Sequence, residues 1–317
     1  MTIGIRSAER ADIPRVLSLL HRTNPCRVLT EKSLLWRLDH PSAGFEETDL
    51  IAVEEDGGVV GHIRSRIQRA GNPSPEGRIG LSVLAAVAES HLGTDLAFRL
   101  LEESERTLVE RGATSLRAEA AGDGVQVGGE GFALLLTERG YRAVENHHIL
   151  GLDLGAVPSA PPAPEGVELR PLREFVNDTR PIYEIDRLTT ADEPGADNDG
   201  RFMSYDDWRS TVWAHPANDL ALSLAILVDG SPVGMTCYTS DRDTRIESAM
   251  TGVLRDHRGR GLAGYAKNVA LHLARARGIR RAYTGNHEGN VPMPAINRRL
   301  GYEAVATETT YSRTVGG

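Results

Sequence analysis

The chain repeats itself once, and that repeat sets what it can fold into. Ala52-Val-Glu-Glu-Asp-Gly-Gly-Val-Val-Gly61 reads as two apolar runs around a glycine turn. Ala225-Ile-Leu-Val-Asp-Gly-Ser-Pro-Val-Gly234 reads the same way, so each is a β-hairpin signature. Further along, Gly140-Tyr-Arg-Ala-Val144 parallels Gly301-Tyr-Glu-Ala-Val305, and residues 84–111 parallel 254–277 as strand end, loop and long helix. The offset stays at roughly 160 to 175 residues, so one domain is duplicated in tandem and no short unit is stacked into a solenoid. Between the copies lies Val157-Pro-Ser-Ala-Pro-Pro-Ala-Pro-Glu-Gly166, whose prolines cannot sustain helix or sheet and predict a stiff linker. The expected division is a first domain over 1–155, a linker over 156–166 and a second domain over 167–317.

Composition agrees with two ordinary cores. At 317 residues and 40% apolar, the chain can bury both. It has no run of 18 apolar residues and its start, Met1-Thr-Ile-Gly-Ile-Arg6, lacks a signal-peptide core, so a cytoplasmic protein without membrane attachment is expected. Cys26 and Cys237 fall at unrelated positions of the two repeats and suggest buried thiols, with no disulfide framework and no metal site. A net charge of −8 argues against nucleic acid as a partner.

The chemistry concentrates in Val253-Leu-Arg-Asp-His-Arg-Gly-Arg-Gly-Leu-Ala263, which runs from an apolar strand through a glycine-arginine loop into a helix predicted over 265–277. Gly259 and Gly261 permit a tight turn and close backbone approach, and the helix start adds a positive dipole end. Arg255, Arg258 and Arg260 add fixed charge suited to a pyrophosphate. A P-loop needs Lys-Ser/Thr after its last glycine, and Leu262-Ala263 stands there instead. Gly259, Gly261 and Gly264 meet the dinucleotide fingerprint by letter, but the next strand, Arg281-Ala-Tyr-Thr-Gly285, ends in Asn286 with Glu288 late, against the early acidic residue a Rossmann unit wants.

Arg258-Gly-Arg-Gly-Leu-Ala263 resembles the Arg/Gln-x-x-Gly-x-Gly/Ala signature of the GNAT superfamily of N-acetyltransferases. The resemblance extends to Ala249-Met-Thr-Gly-Val-Leu254 as the strand bonding the pantetheine, to Asn290 as the asparagine after the next strand, and to the Leu300-Gly-Tyr302 ending. It implies an α/β fold of two tandem GNAT-like domains, each a mixed, splayed β-sheet flanked by helices. It also implies acetyl-CoA as co-substrate, held by Val253, Leu254, Arg258, Gly259, Arg260, Gly261, Leu262, Ala263, Asn290 and Asn297. The implied reaction moves the acetyl group to an amine of a small molecule by direct attack in the C-terminal domain. Transfer of a larger acyl group, or a non-catalytic acyl-CoA-binding or regulatory protein, stands beside it.

Amine attack needs a base, an oxyanion donor and an outlet for the thiolate. Glu247 lies on the strand entering the loop, 11 residues before Arg258, where the family often keeps its base, and strand alternation predicts that it shares a face with Ala249, Thr251 and Val253. The backbone N–H of Val253 or Leu254 is the family-type oxyanion donor. Seven residues after Asn290 the family commonly has a tyrosine acid, and Asn297 stands there, able to donate a hydrogen bond but not a proton. The acidic run from Glu184 to Asp207, with Asp192 and Glu193 within it, reads either as a wall that attracts a cationic amine or as a solvated acidic loop beginning at Asp192-Glu-Pro-Gly195. In the first repeat, Ser90-His-Leu-Gly-Thr-Asp95 is matched to the loop; it lacks arginine, and Glu89 and Asp95 oppose an anion. That domain is read as structural or cleft-shaping, in a protein that is a monomeric pseudo-dimer or a homodimer.

Overall fold

Apolar runs that end in turn residues become strands here, and the stretches with a 3.6-residue period become helices. The computed structural model describes residues 3–42, 44–70, 77–121, 131–192, 202–287 and 292–316. Its strands are β1 (Gly4–Ser7), β2 (Phe45–Val53), β3 (Val59–Gln68), β4 (Ile79–Val87), β5 (Ser115–Ala121), β6 (Arg142–Asp153), β7 (Val167–Pro171), β8 (Leu224–Val228), β9 (Ser231–Ser240), β10 (Arg245–Val253), β11 (Arg281–His287) and β12 (Glu303–Thr314). The helices are α1 (Ile13–Thr23), α2 (Glu31–Asp39), α3 (Leu96–Glu110), α4 (Phe132–Glu138), α5 (Arg180–Thr190), α6 (Tyr205–Trp208), α7 (Leu262–Ala276) and α8 (Pro292–Arg299).

The chain divides into two compact units, residues 1–147 with 305–317, and residues 148–304. This partition differs from consecutive domains over 1–155 and 167–317. β6 leaves the first unit midway, and the last strand of the chain, from Val305, belongs to the first unit. A stretch of sheet needs only a partner with free N–H and C=O groups, so nothing in the local sequence of β12 states which unit it completes. The proline-rich segment falls inside the second unit.

In the first unit the strands run in the order β1-β2-β3-β4-β5-β12. β4 and β5 are parallel, with Ile79 opposite Ser115 through Ser82 opposite Ala118, and β12 closes antiparallel on β5. α3 seats Leu96, Leu100, Leu101 and Leu108 on the sheet.

In the second unit the order is β6-β11-β10-β9-β8-β7. All five residues of β8 are buried, as expected of an interior strand covered on both faces. One face carries α5 and α6, through Ile182, Tyr183, Ile185 and Trp208 against Ala225, Leu227 and Met235. Ser204 caps α6 by accepting from the Asp207 N–H at 3.2 Å, and the α-helical turn gives way at Arg209 to a wider π turn. The other face carries α7, where Ala266, Ala270 and Ala274 repeat every four residues and are fully buried, letting the helix lie close to the sheet.

One charge sits inside that apolar face. Lys267 of α7 is 1% exposed, and its Nζ donates to Ser248 Oγ at 3.2 Å beside the ring of Tyr302. Burial pushes its amine down from 10.5 to about 8. Between those values the unfolded chain holds a proton that the native state lacks, so stability rises with pH from about 8 to 10.5 and the penalty is largest below 8. Lys267→Met is therefore expected to stabilise the protein at pH 7 by roughly 2–3 kcal/mol, the gain fading as pH approaches 10.5. Urea unfolding at the two pH values checks this, and equal midpoints for both proteins at pH 7 contradict it.

Candidate active site

The site begins where two parallel strands stop pairing. Among the described residues β10 and β11 pair only at Arg245–Arg281, Ile246–Ala282 and Glu247–Tyr283, although both strands run on. Beyond that point β10 keeps its antiparallel bonds to β9 while its other edge faces an opening. The splayed sheet expected from the sequence is thus present.

A bulge lies at the same place. Ser248 is opposite Tyr238 and Met250 opposite Cys237, so Ala249 is the extra residue and the alternation of faces resets there. Glu247 consequently shares its face with Met250 and Gly252, not with Thr251 and Val253. The packing agrees, since a Cβ on Gly252 would collide with Thr189 of α5, and Thr251 Oγ1 meets Thr236 Oγ1 at 2.9 Å on the other face. Strict alternation fails because a one-residue bulge leaves no mark in composition. Glu247 is half-buried on the α5 side and is not among the residues lining the cavity described below. Arg245 donates to Asp241 at 2.9 Å.

The bulge also sorts the backbone donors. The Leu254 N–H donates to the Val233 carbonyl at 2.9 Å, so the sheet has spent it, contrary to its expected oxyanion role. Alternation along an antiparallel edge then turns the N–H groups of Thr251 and Val253 toward the opening. Val253 therefore remains a candidate donor, and Thr251 joins it, a residue the sequence reading had not assigned.

The loop follows through a 3-10 turn at Arg255–His257. Gly259 and Gly261 have φ of 76° and 75°, the left-handed region that a side chain disfavours, and Gly261 is the N-cap of α7. Among the described residues the N–H groups of Gly259, Arg260 and Gly261 donate to no carbonyl or side chain. The first N–H groups of α7 lack helical partners by geometry and point the same way. Space beside both glycines is open, as a cradle for a bulky anion requires. Leu262 is buried on the apolar face and anchors the helix, and both it and Ala263 line the cavity.

Arg258 closes the turn, its Nε donating to the Val253 carbonyl at 2.8 Å and its Nη2 to Asp192 at 2.6 Å. Arg255 also donates to Asp192, through Nε at 3.0 Å and through Nη2. The two guanidinium groups hold the Asp192 carboxyl well below the usual carboxylate range. Asp192 is thus placed against the cationic loop, and its charge serves those arginines instead of standing free for an amine. Glu193 and Asn290 lie outside the described residues. Asn297 is on α8 but fully buried and is not among the cavity-lining residues, so it does not touch a ligand from where it stands.

Around the loop lies a cavity of about 1010 Å³ belonging wholly to the second unit. Its walls come from β10 (Met250 to Val253), Thr189 and Asp192 at the end of α5, the loop, the first turns of α7, the face of α8 and the proline-rich segment. Glycine cradle, arginines, helix start and splayed edge together fit a long ligand with an anionic middle and amide groups.

The first unit repeats the scaffold but spends two of the loop's donors, those of Thr94 and Leu96. Aligning the 3-10 turns Glu89–His91 and Arg255–His257 puts Leu92 at Arg258, Gly93 at Gly259, Thr94 at Arg260 and Asp95 at Gly261. The loop matched from sequence as residues 90–95 is therefore shifted, and His91 answers to His257. Gly93 keeps its φ of 76°, but the Thr94 N–H donates to the His91 carbonyl at 3.3 Å and the Leu96 N–H to Thr94 Oγ1 at 3.3 Å. Asp95 places a carboxylate at the helix start.

Comparison with known proteins agrees with this geometry. Residues 182–302, inside the second unit, match the model of the acetyltransferase (GNAT) family. The whole chain resembles a tandem GNAT protein from the clavulanic acid biosynthesis pathway at 18% identity and a TM-score of 0.74, covering 100% of this chain and 99% of that one. A GCN5-related N-acetyltransferase from Sphaerobacter thermophilus matches at 18% identity and a TM-score of 0.67, over 98% of this chain and 95% of the other. A putative acetyltransferase from Pyrococcus horikoshii matches at 13% identity and a TM-score of 0.57, over 98% and 89%. Among curated proteins none matches. The match to the acetyltransferase (GNAT) family thus falls on residues 182–302, which include the cofactor-loop region, and the likeness over the whole chain is one of fold. The second unit carries the GNAT family domain, and the chain as a whole has the tandem GNAT fold.

Two loops so differently equipped predict one cofactor per chain. Gly261→Val forces a β-branched residue to positive φ, at about 1–2 kcal/mol, and fills the cradle, so the dissociation constant for acetyl-CoA should rise at least about tenfold. Arg258→Ala should weaken binding by a similar factor, while Leu92→Arg should create no second site, because the N–H groups of Thr94 and Leu96 remain spent and Asp95 keeps a carboxylate at the helix start. Titration calorimetry reads all three, and two equivalents bound per wild-type chain would contradict the assignment.

Proposed function

We propose that the chain transfers the acetyl group of acetyl-CoA to the amine of a small molecule, by direct attack in the second unit. The observation that carries this is the row of unspent N–H groups at Gly259, Arg260 and Gly261, between Arg258 and the start of α7, in a loop that follows the splayed strand β10. The loop would hold the pyrophosphate. The edge N–H groups of Thr251 and Val253 would meet the pantetheine amides, and the one nearest the thioester would steady its oxygen as charge develops. Bound acetyl-CoA supplies an activated acyl group, and its thiolate is a good enough leaving group near neutral pH to need no positioned acid. This suits a chain with Asn297 where the family often has tyrosine.

Glu247 is the base in this reading and acts through water. It lies at the last paired position before the splay, on the α5 side and away from the cofactor loop, which leaves that side of the sheet for the acceptor. A tandem protein with one degenerate half resembles mycothiol synthase, and an acceptor of small-molecule size is the corresponding expectation. No helix among the described residues is long and apolar enough to cross a membrane, and the proposed compartment is the cytoplasm, where acetyl-CoA is available.

Glu247→Gln keeps the size of the side chain and removes its basicity, so turnover should fall by roughly 10²–10⁴ and the acidic limb of the pH–rate profile should shift. Mass spectrometry with acetyl-CoA and an amine library finds the acceptor first. A loss under a few-fold would assign the proton to another group, and absence of any turnover across the library would favour an acyl-CoA-binding protein.

A further inference from the structure

The proline-rich segment between the repeats does more than connect them. Residues 157–164 form neither helix nor strand, and Pro158, Ser159, Pro161, Pro162 and Pro164 line the cavity. Proline has no N–H and a stiff, apolar ring, so this wall offers flat hydrocarbon surface and almost no backbone donors. That is the opposite of the β10 edge on the other side of the loop, which offers unpaired N–H groups.

The segment is tied to α7 by one carbonyl. Pro158 O accepts from Asn268 Nδ2 at 3.1 Å and from His272 Nε2 at 2.9 Å. The first of these bonds fixes the Asn268 amide, since its nitrogen must face the carbonyl and its oxygen must face away. Asn268 lines the cavity, is 3% exposed, and its Oδ1 is buried without a hydrogen-bond partner. A buried acceptor left unmade is costly, and a ligand N–H arriving there recovers the cost.

We propose that the wall formed by Pro158 to Pro164 and Asn268 is the base-binding subsite of the cofactor cavity, taking the adenine of acyl-CoA with Asn268 Oδ1 accepting from its exocyclic amino group. This rests on the reading of the cavity as an acyl-CoA site. The loop holds the anionic middle of the ligand, and the pantetheine amides match the donor-rich edge of β10. The remaining end is a flat, apolar ring carrying an N–H donor, which is what the donor-poor wall and its one acceptor complement. The linker would then set cofactor specificity as well as join the repeats.

Calorimetry with the full chain and three probes tests this: acetyl-CoA, S-acetylpantetheine, and an acetyl-CoA analogue whose purine lacks the 6-amino group. Wild-type protein should bind the analogue about tenfold more weakly than acetyl-CoA. Asn268→Ala should lose about the same factor for acetyl-CoA, lose nothing further for the analogue, and leave S-acetylpantetheine unchanged. His272→Ala, which loosens the strap without removing the acceptor, should preserve the discrimination between acetyl-CoA and the analogue. Equal wild-type affinity for the two cofactors overturns the subsite without depending on any variant. A parallel loss of S-acetylpantetheine in Asn268→Ala also overturns it, by assigning the N–H to the pantetheine. Failure of wild-type protein to bind acetyl-CoA at all would instead remove the reading beneath it.

Discussion

Everything distinctive about the second unit depends on β10 and β11 parting after Glu247 and Tyr283. A strand inside a sheet has partners on both edges, and an interior strand with an unpaired edge carries N–H groups that must be satisfied by something else. Among the described residues no other strand fills that edge. The chain leads β10 into a loop whose own N–H groups are also unspent, so a line of donors runs from Thr251 to the start of α7. Arg258 stabilises the corner by bonding the last carbonyl of the strand, which fixes the loop relative to the opening.

The two repeats show how little is needed to keep or lose such a site. The 3-10 turn, the glycine at φ of 76° and the following fifteen-residue helix are common to both. The difference lies in hydrogen-bond accounting. In the first unit Thr94 uses its own N–H and hydroxyl within the turn, and Asp95 stands where Gly261 turns the second loop through positive φ. A loop that spends part of its donors on itself and sets a carboxylate at the helix start has less to offer an anion, whatever its shape.

The same accounting explains Asp192. A loop bearing Arg255, Arg258 and Arg260 is a concentration of positive charge, and a carboxylate at the end of the first helical region of the repeat neutralises part of it. Asp192 thereby balances, from within the chain, part of the positive charge of the loop.

Much of this was written in the sequence because it is local. Glycines spaced for a tight turn, arginines around them, a helix period after them and a duplicated hairpin are all properties of neighbouring residues, and they sufficed for the α/β class, the tandem repeat, the loop and the splayed sheet. What the sequence left open depends on contacts between distant residues or on a single inserted one. The bulge at Ala249 moved Glu247 to the α5 face and no composition announces it. The loss of the Leu254 N–H to Val233, the burial of Asn297 and the capture of Asp192 by two arginines each need a partner far along the chain. The assignment of β12 to the first unit is of the same kind, because any strand edge accepts any strand. A run of prolines states stiffness and nothing about position, and only packing against α7 made the linker a wall of the cavity.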